Sequence, residues 1–247
     1  MGRKLHKDAP LERRVDFQRQ VTLLGDDGQR RVEAGRVLVV GLGGLGCPAA
    51  RYLGAAGVGH LTLVDFDTVA ATDLHRQILY APGDEGRRKA ELAATRLDAH
   101  GPGAVVGVHA TFEASMVDGH EVVLDCTDEA GTRALIHQAC MERGVPLAWA
   151  AVEGWEAQWA HVMPGKGPCL RCLWPSPGDA PSCADAGILG PTVAMAGAWQ
   201  ALAALRILAG RTPATGRLHL HDLAEDRHES IAFDARPDCP ACAVVPK

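Results

Sequence analysis

Apolar positions follow two different rhythms along the chain. Up to about residue 150, continuous apolar runs alternate with longer stretches of helical period. RVLVV (36–40), HLTLVD (60–65), AVVGVHA (104–110), EVVLDC (121–126) and PLAWAAV (146–152) read as strands, and 44–57, 86–100 and 129–143 read as helices between them. This alternation predicts βαβ units, and strands apolar on both faces predict a mostly parallel sheet with helices on either side. Beyond residue 152 the rhythm shifts to period two in WEAQWAHVM, followed by a Pro-, Gly- and Cys-rich stretch, an apolar run, and two strand-like segments, RLHLHDL and ESIAFDA. These predict an antiparallel C-terminal extension of the same α/β sheet, reached through a crossing loop over 164–186.

The apolar run GILGPTVAMAGAWQALAALRILAG (187–210) has the length of a membrane span. It also carries Pro191, Gln200, Arg206 and many alanines, and these favour a helix packed inside the protein or at a subunit interface. With 247 residues, 47% of them hydrophobic, the chain can bury the core of one α/β unit spanning 1–247, with residues 1–13 expected as a flexible tail. A formal charge of -5 gives no basic face for nucleic acid or an anionic membrane. The opening MGRKLHKDAPLERR has no apolar signal core, so a cytoplasmic location is expected. There the eight cysteines favour metal or catalytic roles over disulfides.

Gly41, Gly43 and Gly46 form G-x-G-x-x-G directly after a strand and before a helix, with Gly44 between them and Asp65 closing the next strand. This is the mononucleotide-binding half of a Rossmann-type sheet, in which backbone N–H groups approach phosphate and the acid holds a ribose hydroxyl. Which nucleotide binds is decided downstream. VDFDTVAATDLHRQILY packs Asp65, Asp67, Asp73, Arg76 and Gln77 together, and Lys89 then opens a helix. Lysine occurs only at 4, 7, 89, 166 and 247. Cations at this point suit a triphosphate better than a nicotinamide dinucleotide, although Arg76 and Lys89 are also readable as ordinary surface charges. Asp128, just past the fourth strand, is placed either to hold a Mg²⁺ on phosphates or to cap the following helix.

Cys169-Leu-Arg-Cys172 and Cys239-Pro-Ala-Cys242 are two C-x-x-C pairs, the pattern of a closed Cys₄ structural zinc site. A redox dithiol explains one pair but not both. Cys183 lies in a stretch of loop composition and reads either as a thiol that forms a covalent intermediate or as an idle one. Cys47, Cys126 and Cys140 sit in apolar flanks and read as small core residues.

Together these residues resemble the E1-like adenylating enzymes of the ThiF, MoeB and HesA group. The likeness runs from RRVDFQRQVTLLGDDGQ through RVLVVGLGGLG, DFDTVAATDLHRQ, Lys89, LDCTD, PCLRCLWP and CADAGILGP to CPAC, with CLRCLWP and RQILY nearer the ThiF branch of thiamine synthesis than the molybdopterin branch. The resemblance implies that ATP adenylates the C-terminal Gly-Gly carboxylate of a small ubiquitin-like sulfur carrier, releasing pyrophosphate. It implies Asp65 on the ribose, Arg76 and Lys89 on the phosphates, and Asp128 on Mg²⁺. It further implies Arg19 reaching the neighbouring subunit's ATP in a homodimer, Cys183 in sulfur transfer, and a cysteine desulfurase or other sulfur donor as partner. Three places depart from the family pattern: Asp16-Phe17 for Arg-Tyr, Asp73 for Asn, and Glu129 for Asn. The last two bring extra carboxylates toward the expected triphosphate. A nicotinamide-dependent oxidoreductase and a catalytically impaired binding protein of the same fold are the competing readings.

Overall fold

The computed structural model describes residues 17–98, 103–175 and 187–246. The expected tail, Asp16, Cys183 and residues 176–186 of the crossing loop lie outside them. Among the described residues, eight strands form one sheet: β1 (Arg36–Val40), β2 (His60–Val64), β3 (Ala104–Val108), β4 (Val122–Asp125), β5 (Leu147–Glu153), β6 (Glu156–Val162), β7 (Arg217–Asp222) and β8 (Arg227–Ala232). Their order is β3-β2-β1-β4-β5-β6-β7-β8. The first five are mutually parallel, and β6, β7 and β8 each run antiparallel to the strand before. This is the parallel sheet with an antiparallel extension that the two apolar rhythms predict.

The continuous apolar strands are explained by helices on both faces. Val37 and Val39 pack with helices α2 (Gly46–Ala55), α3 (Lys89–Asp98) and α6 (Gly190–Leu208). Leu38 and Val40 point the other way, toward α4 (Ala130–Arg143). The apolar run 187–210 is α6, buried through Ala196, Gly197, Gln200, Ala201 and Ala204. A Cβ on Gly197 would sit 2.2 Å from the Leu45 carbonyl oxygen, so α6 approaches the start of α2 more closely than a larger residue permits. No described helix is long and apolar enough to cross a membrane.

Two features differ from the pattern reading. Helix α1 (Gln18–Ala34), kinked at Gly25, was not expected, because its sequence QRQVTLLGDDGQRRVEA lacks a broad apolar face. It is anchored by Val32, fully buried in the core with Leu24 packed against that core, and by polar contacts: Gln29 is fully buried, and the Gln20 amide donates to Gln29 Oε1 at 2.7 Å and to the Ala56 carbonyl at 2.9 Å. The last strand starts and ends earlier than ESIAFDA (229–235) suggests, because pairing with β7 runs from Arg227 to Ala232.

Strand order reverses between β1 and β4, whose neighbours lie on opposite sides. The turns leaving these two strands therefore splay apart at their carboxyl ends, the usual ligand position in open parallel sheets.

Candidate functional site

A cleft of about 540 Å³ opens at that reversal point. It brings together Gly41, Gly43, Gly44, Asp65, Asp67, Asp73, Arg76, Gln77, Lys89 and Asp128, all singled out in the sequence. Gly46 stands just behind the lining. Arg19 is exposed on α1 and does not line the cleft of its own chain.

The glycine loop owes its shape to close approaches. Gly41 has φ +90, and a Cβ there would meet the Cys126 carbonyl oxygen at 2.6 Å; a Cβ on Gly46 would fall 1.9 Å from the Gly41 carbonyl oxygen. Gly43 has open space on its Cβ side apart from the Gln77 amide nitrogen at 3.8 Å, which leaves its backbone available to a ligand. Asp65 fixes this loop as well as facing the cleft. Its Oδ2 accepts from Leu42 N at 2.6 Å and its Oδ1 from Asp67 N at 2.7 Å. Burial raises the Asp65 pKa above the ordinary aspartate value, and those two hydrogen bonds and the charge of Lys89 only partly oppose it.

The cationic side of the cleft is built on a 3-10 turn, Ala71–Asp73, and on the first residue of α3. Lys89 is buried, not a surface charge, with Nζ 3.2 Å from Asp67 Oδ2 and 3.3 Å from Asp73 Oδ2. Burial works against its charge, yet the carboxylates of Asp73, Asp65 and Asp67 outweigh that and raise the Lys89 pKa. Arg76 is partly exposed; its Nη1 donates to the Thr72 carbonyl at 2.8 Å and its Nη2 to Asp73 Oδ1 at 3.2 Å.

Across the cleft, the turn after β4 decides against Asp128 as the cap of α4. The residue that caps α4 is Glu129, whose carboxylate accepts from Gly131 N at 2.8 Å and Thr132 N at 2.6 Å. These bonds hold the Glu129 pKa below the ordinary value and turn its charge toward the helix N-terminus. Asp128 is exposed on the cleft wall, and among the described residues its side chain accepts no hydrogen bond, so it is free to meet a hydrated cation.

Sequence reasoning missed the support behind this turn. Asp125 is fully buried; its Oδ1 accepts from Thr127 N at 3.1 Å and Thr127 Oγ1 at 2.7 Å, and burial raises its pKa. Arg133, buried on α4, donates through Nε to the Thr127 carbonyl at 3.0 Å and stands 5.6 Å from the Trp149 ring centroid. Gln200 ties α6 to the last residue of β4 and to Ala148 near the start of β5. The available signal was a single charge in the apolar stretch TRALI and a single amide in an apolar helix.

Away from the cleft, α5 (Leu170–Leu173) and α7 (Pro240–Ala243) bring the two cysteine pairs together. The four sulfurs lie within 4.8 Å of one another. Cys169 to Cys172 is 3.9 Å, while Cys169 to Cys239 and Cys172 to Cys242 are both 3.6 Å. Zinc–thiolate bonds of about 2.3 Å place tetrahedral sulfurs about 3.8 Å apart, so the donor set and spacing fit zinc. Cys47, Cys126 and Cys140 are buried, as expected of core thiols, and burial pushes Cys47 up to about 12.

Comparison with known proteins gives this geometry a lineage. The adenylyltransferase and sulfurtransferase MOCS3 of Bos taurus is 42% identical over 242 residues, covering 93% of this chain and 53% of that protein. The chain thus spans about half the length of this relative. The SAMP-activating enzyme E1 of Haloferax volcanii is 39% identical over 228 residues, 89% of this chain and 84% of that one. The molybdopterin-synthase adenylyltransferase of Escherichia coli is 37% identical over 238 residues, 92% of this chain and 95% of that one. Among solved structures, Escherichia coli MccB superposes with a TM-score of 0.81 at 18% identity, over 92% of this chain and 71% of that one, a likeness of fold. The ThiF family pattern itself matches residues 17–241, which take in the whole cleft and three of the four clustered cysteines, and the chain belongs to the ThiF family.

Proposed function

We propose that the protein uses ATP to adenylate the C-terminal Gly-Gly carboxylate of a small ubiquitin-like sulfur carrier, releasing pyrophosphate. The observation that carries this reading is the convergence of Arg76, Lys89, Asp65 and Asp128 on one cleft beside the glycine loop. In the reaction, a carboxylate oxygen of the carrier attacks the α-phosphorus of ATP. The bond from that phosphorus to the bridging oxygen breaks, and the electron pair leaves with pyrophosphate. The product acyl-adenylate is a better electrophile than the carboxylate. Negative charge builds on the departing pyrophosphate, and fixed cations in a site sheltered from water stabilise it more than flexible ones in solvent.

Each residue has a part. The backbone of Gly41, Gly43 and Gly44 lies along the phosphates at the start of α2, shaped from behind by Gly46, and Asp65 accepts from a ribose hydroxyl. Arg76 and Lys89 hold the β- and γ-phosphates, with Asp67, Asp73 and Gln77 setting their positions. Asp128 holds Mg²⁺, which when bound neutralises phosphate charge. Arg19, exposed on α1, completes the site of a second subunit in a homodimer. Cys183 takes part in the later sulfur transfer, with a cysteine desulfurase or similar sulfur donor upstream. Cys169, Cys172, Cys239 and Cys242 hold a structural zinc that fastens the C-terminus to the sheet. We read all 247 residues as one cytoplasmic adenylating unit. The carrier is ThiS-like or MoaD-like, and CLRCLWP and RQILY favour the thiamine branch.

ATP–pyrophosphate exchange with Mg²⁺, run with and without candidate Gly-Gly-ended carriers, tests the reading. Exchange that requires the terminal carboxylate supports it and identifies the carrier. A folded chain that binds Mg-ATP but exchanges with no carrier points instead to a binding protein of this fold. The pairing of Arg76 with Asp73 is what favours that second reading.

A further inference from the structure

Asp73 is the hub of the cationic wall. Its side chain is buried, and both oxygens are in use: Oδ1 accepts from Gln77 Nε2 at 2.8 Å and Arg76 Nη2 at 3.2 Å, and Oδ2 accepts from Ala70 N at 3.0 Å and lies 3.3 Å from Lys89 Nζ. Lys89 is further countered by Asp67 at 3.2 Å. The two cations offered to an incoming anion are therefore already paired, and one buried carboxylate is common to both. A carboxylate only accepts hydrogen bonds, so it forces the Gln77 amide to present its nitrogen and leaves Gln77 Oε1 buried without a partner among the described residues.

We propose that Asp73 is an internal counter-ion that competes with the ligand's phosphates for Arg76 and Lys89 and so sets the nucleotide selectivity of the cleft. This rests on the reading of the cleft as a triphosphate site. In the free cleft Asp73 holds Arg76 and Lys89 in a defined arrangement. A ligand gains them only if it offers more negative charge than one carboxylate, accompanied by its own divalent cation to offset repulsion from Asp73 and Asp67. A polyphosphate with Mg²⁺ meets that condition and an uncharged nucleoside does not engage it. Asp73 acts through Arg76 and Lys89 and is a positioning and selectivity residue, not a catalytic one.

The test is calorimetric titration of the full chain with Mg-ATP, adenosine and Mg-tripolyphosphate in the wild type, Asp73→Asn and Asp73→Ser. Serine is included because its hydroxyl can still accept from Ala70 N–H if the asparagine variant loses that turn. The expected result is an increase in Mg-ATP and tripolyphosphate affinity of about tenfold in both variants, with adenosine affinity unchanged. In exchange kinetics the KM for ATP falls while kcat does not rise. Unchanged or weaker Mg-ATP binding in variants that still bind adenosine overturns the proposal, as does loss of adenosine binding in both, which would make Asp73 purely structural. A wild-type chain that ignores ATP and adenosine, while the variants gain tripolyphosphate affinity, would sink the nucleotide reading and leave the counter-ion role standing.

Discussion

The side-chain amide of Gln200 donates to the main-chain carbonyl of Asp125 at 2.7 Å and to that of Ala148 at 3.0 Å, joining helix α6 to two adjacent strands. Its oxygen also accepts from the Cys126 thiol at 3.3 Å. Gln200 is fully buried, so nothing in solvent can replace these bonds. Gln200→Leu keeps the volume and strands two carbonyls and a thiol. The expected cost is about 2–4 kcal/mol in urea unfolding. A loss under about 1 kcal/mol would mean that the two carbonyls find other donors.

The glycine loop has no room for a methyl group at Gly46, where a Cβ would lie 1.9 Å from the Gly41 carbonyl oxygen. Gly46→Ala must push the Gly41 peptide out of place, and with it the N–H groups proposed to meet a phosphate. Mg-ATP affinity should fall by at least about tenfold, measured by ligand-induced thermal stabilisation. An alanine variant with wild-type affinity would show that the loop backbone does not contact the nucleotide.

The loop and the cation wall were legible in the sequence because both depend on short-range rules. A glycine that must adopt positive φ or admit a neighbouring carbonyl leaves its mark locally, and Lys89 stands out as the one lysine in a long interval. The supports were not legible. Arg133 and Gln200 become meaningful only once a tertiary fold buries them, and α1 is anchored in part by glutamines that no apolar periodicity reveals. The choice between Asp128 and Glu129 as cap depends on one residue's backbone angles, and those are settled by how β4 meets α4. What the fold adds at the cleft is the pairing of each cation with a carboxylate, a relation between the loop after β2, the 3-10 turn and α3 that spacing alone does not fix.

Asp128 and Glu129 are adjacent carboxylates with separable tasks. Asp128→Asn should lower pyrophosphate exchange about a hundredfold with little change in Tm, since its side chain holds no helix end. Glu129→Ala should lower Tm by about 2–4 °C by uncapping α4, with a smaller effect on exchange than Asp128→Asn. Because the native Glu129 pKa is depressed, its capping contribution is complete above the ordinary value of 4.5 and disappears as pH falls through the lower native one. Equal effects of the two substitutions on exchange would show that the pair acts as one unit.

The sulfur cluster makes a stoichiometric prediction. Purified protein should carry about one zinc per chain by elemental analysis, and Cys242→Ser should reduce this while leaving the distant cleft able to bind Mg-ATP. Chelation should release α7 and expose the C-terminal residues to protease before the sheet unfolds. Full metal loading in the Cys242→Ser chain, or wild-type protein purified without metal yet protease-resistant at its C-terminus, would argue that the four thiols simply pack together.

Asp84 stabilises the loop that delivers Lys89 to the cleft, and it should do so in a pH-dependent way. Its buried carboxylate accepts from Ala81 N at 2.7 Å and pairs with Arg96 at 2.6 Å and Arg87 at 3.1 Å. Burial alone would raise its pKa, but the Ala81 hydrogen bond and the two guanidinium groups prevail, and the native value lies below the ordinary 3.8. The unfolded chain therefore takes up the proton first as pH falls. The stabilisation is fully present above about 3.8 and is lost as pH drops through the lower native value. Asp84→Asn should cost about 2 kcal/mol at pH 7. The gap between wild type and variant in urea midpoint should narrow as pH falls below about 4. A gap that stays constant across that range would mean that shape and hydrogen bonding, not charge, hold the loop.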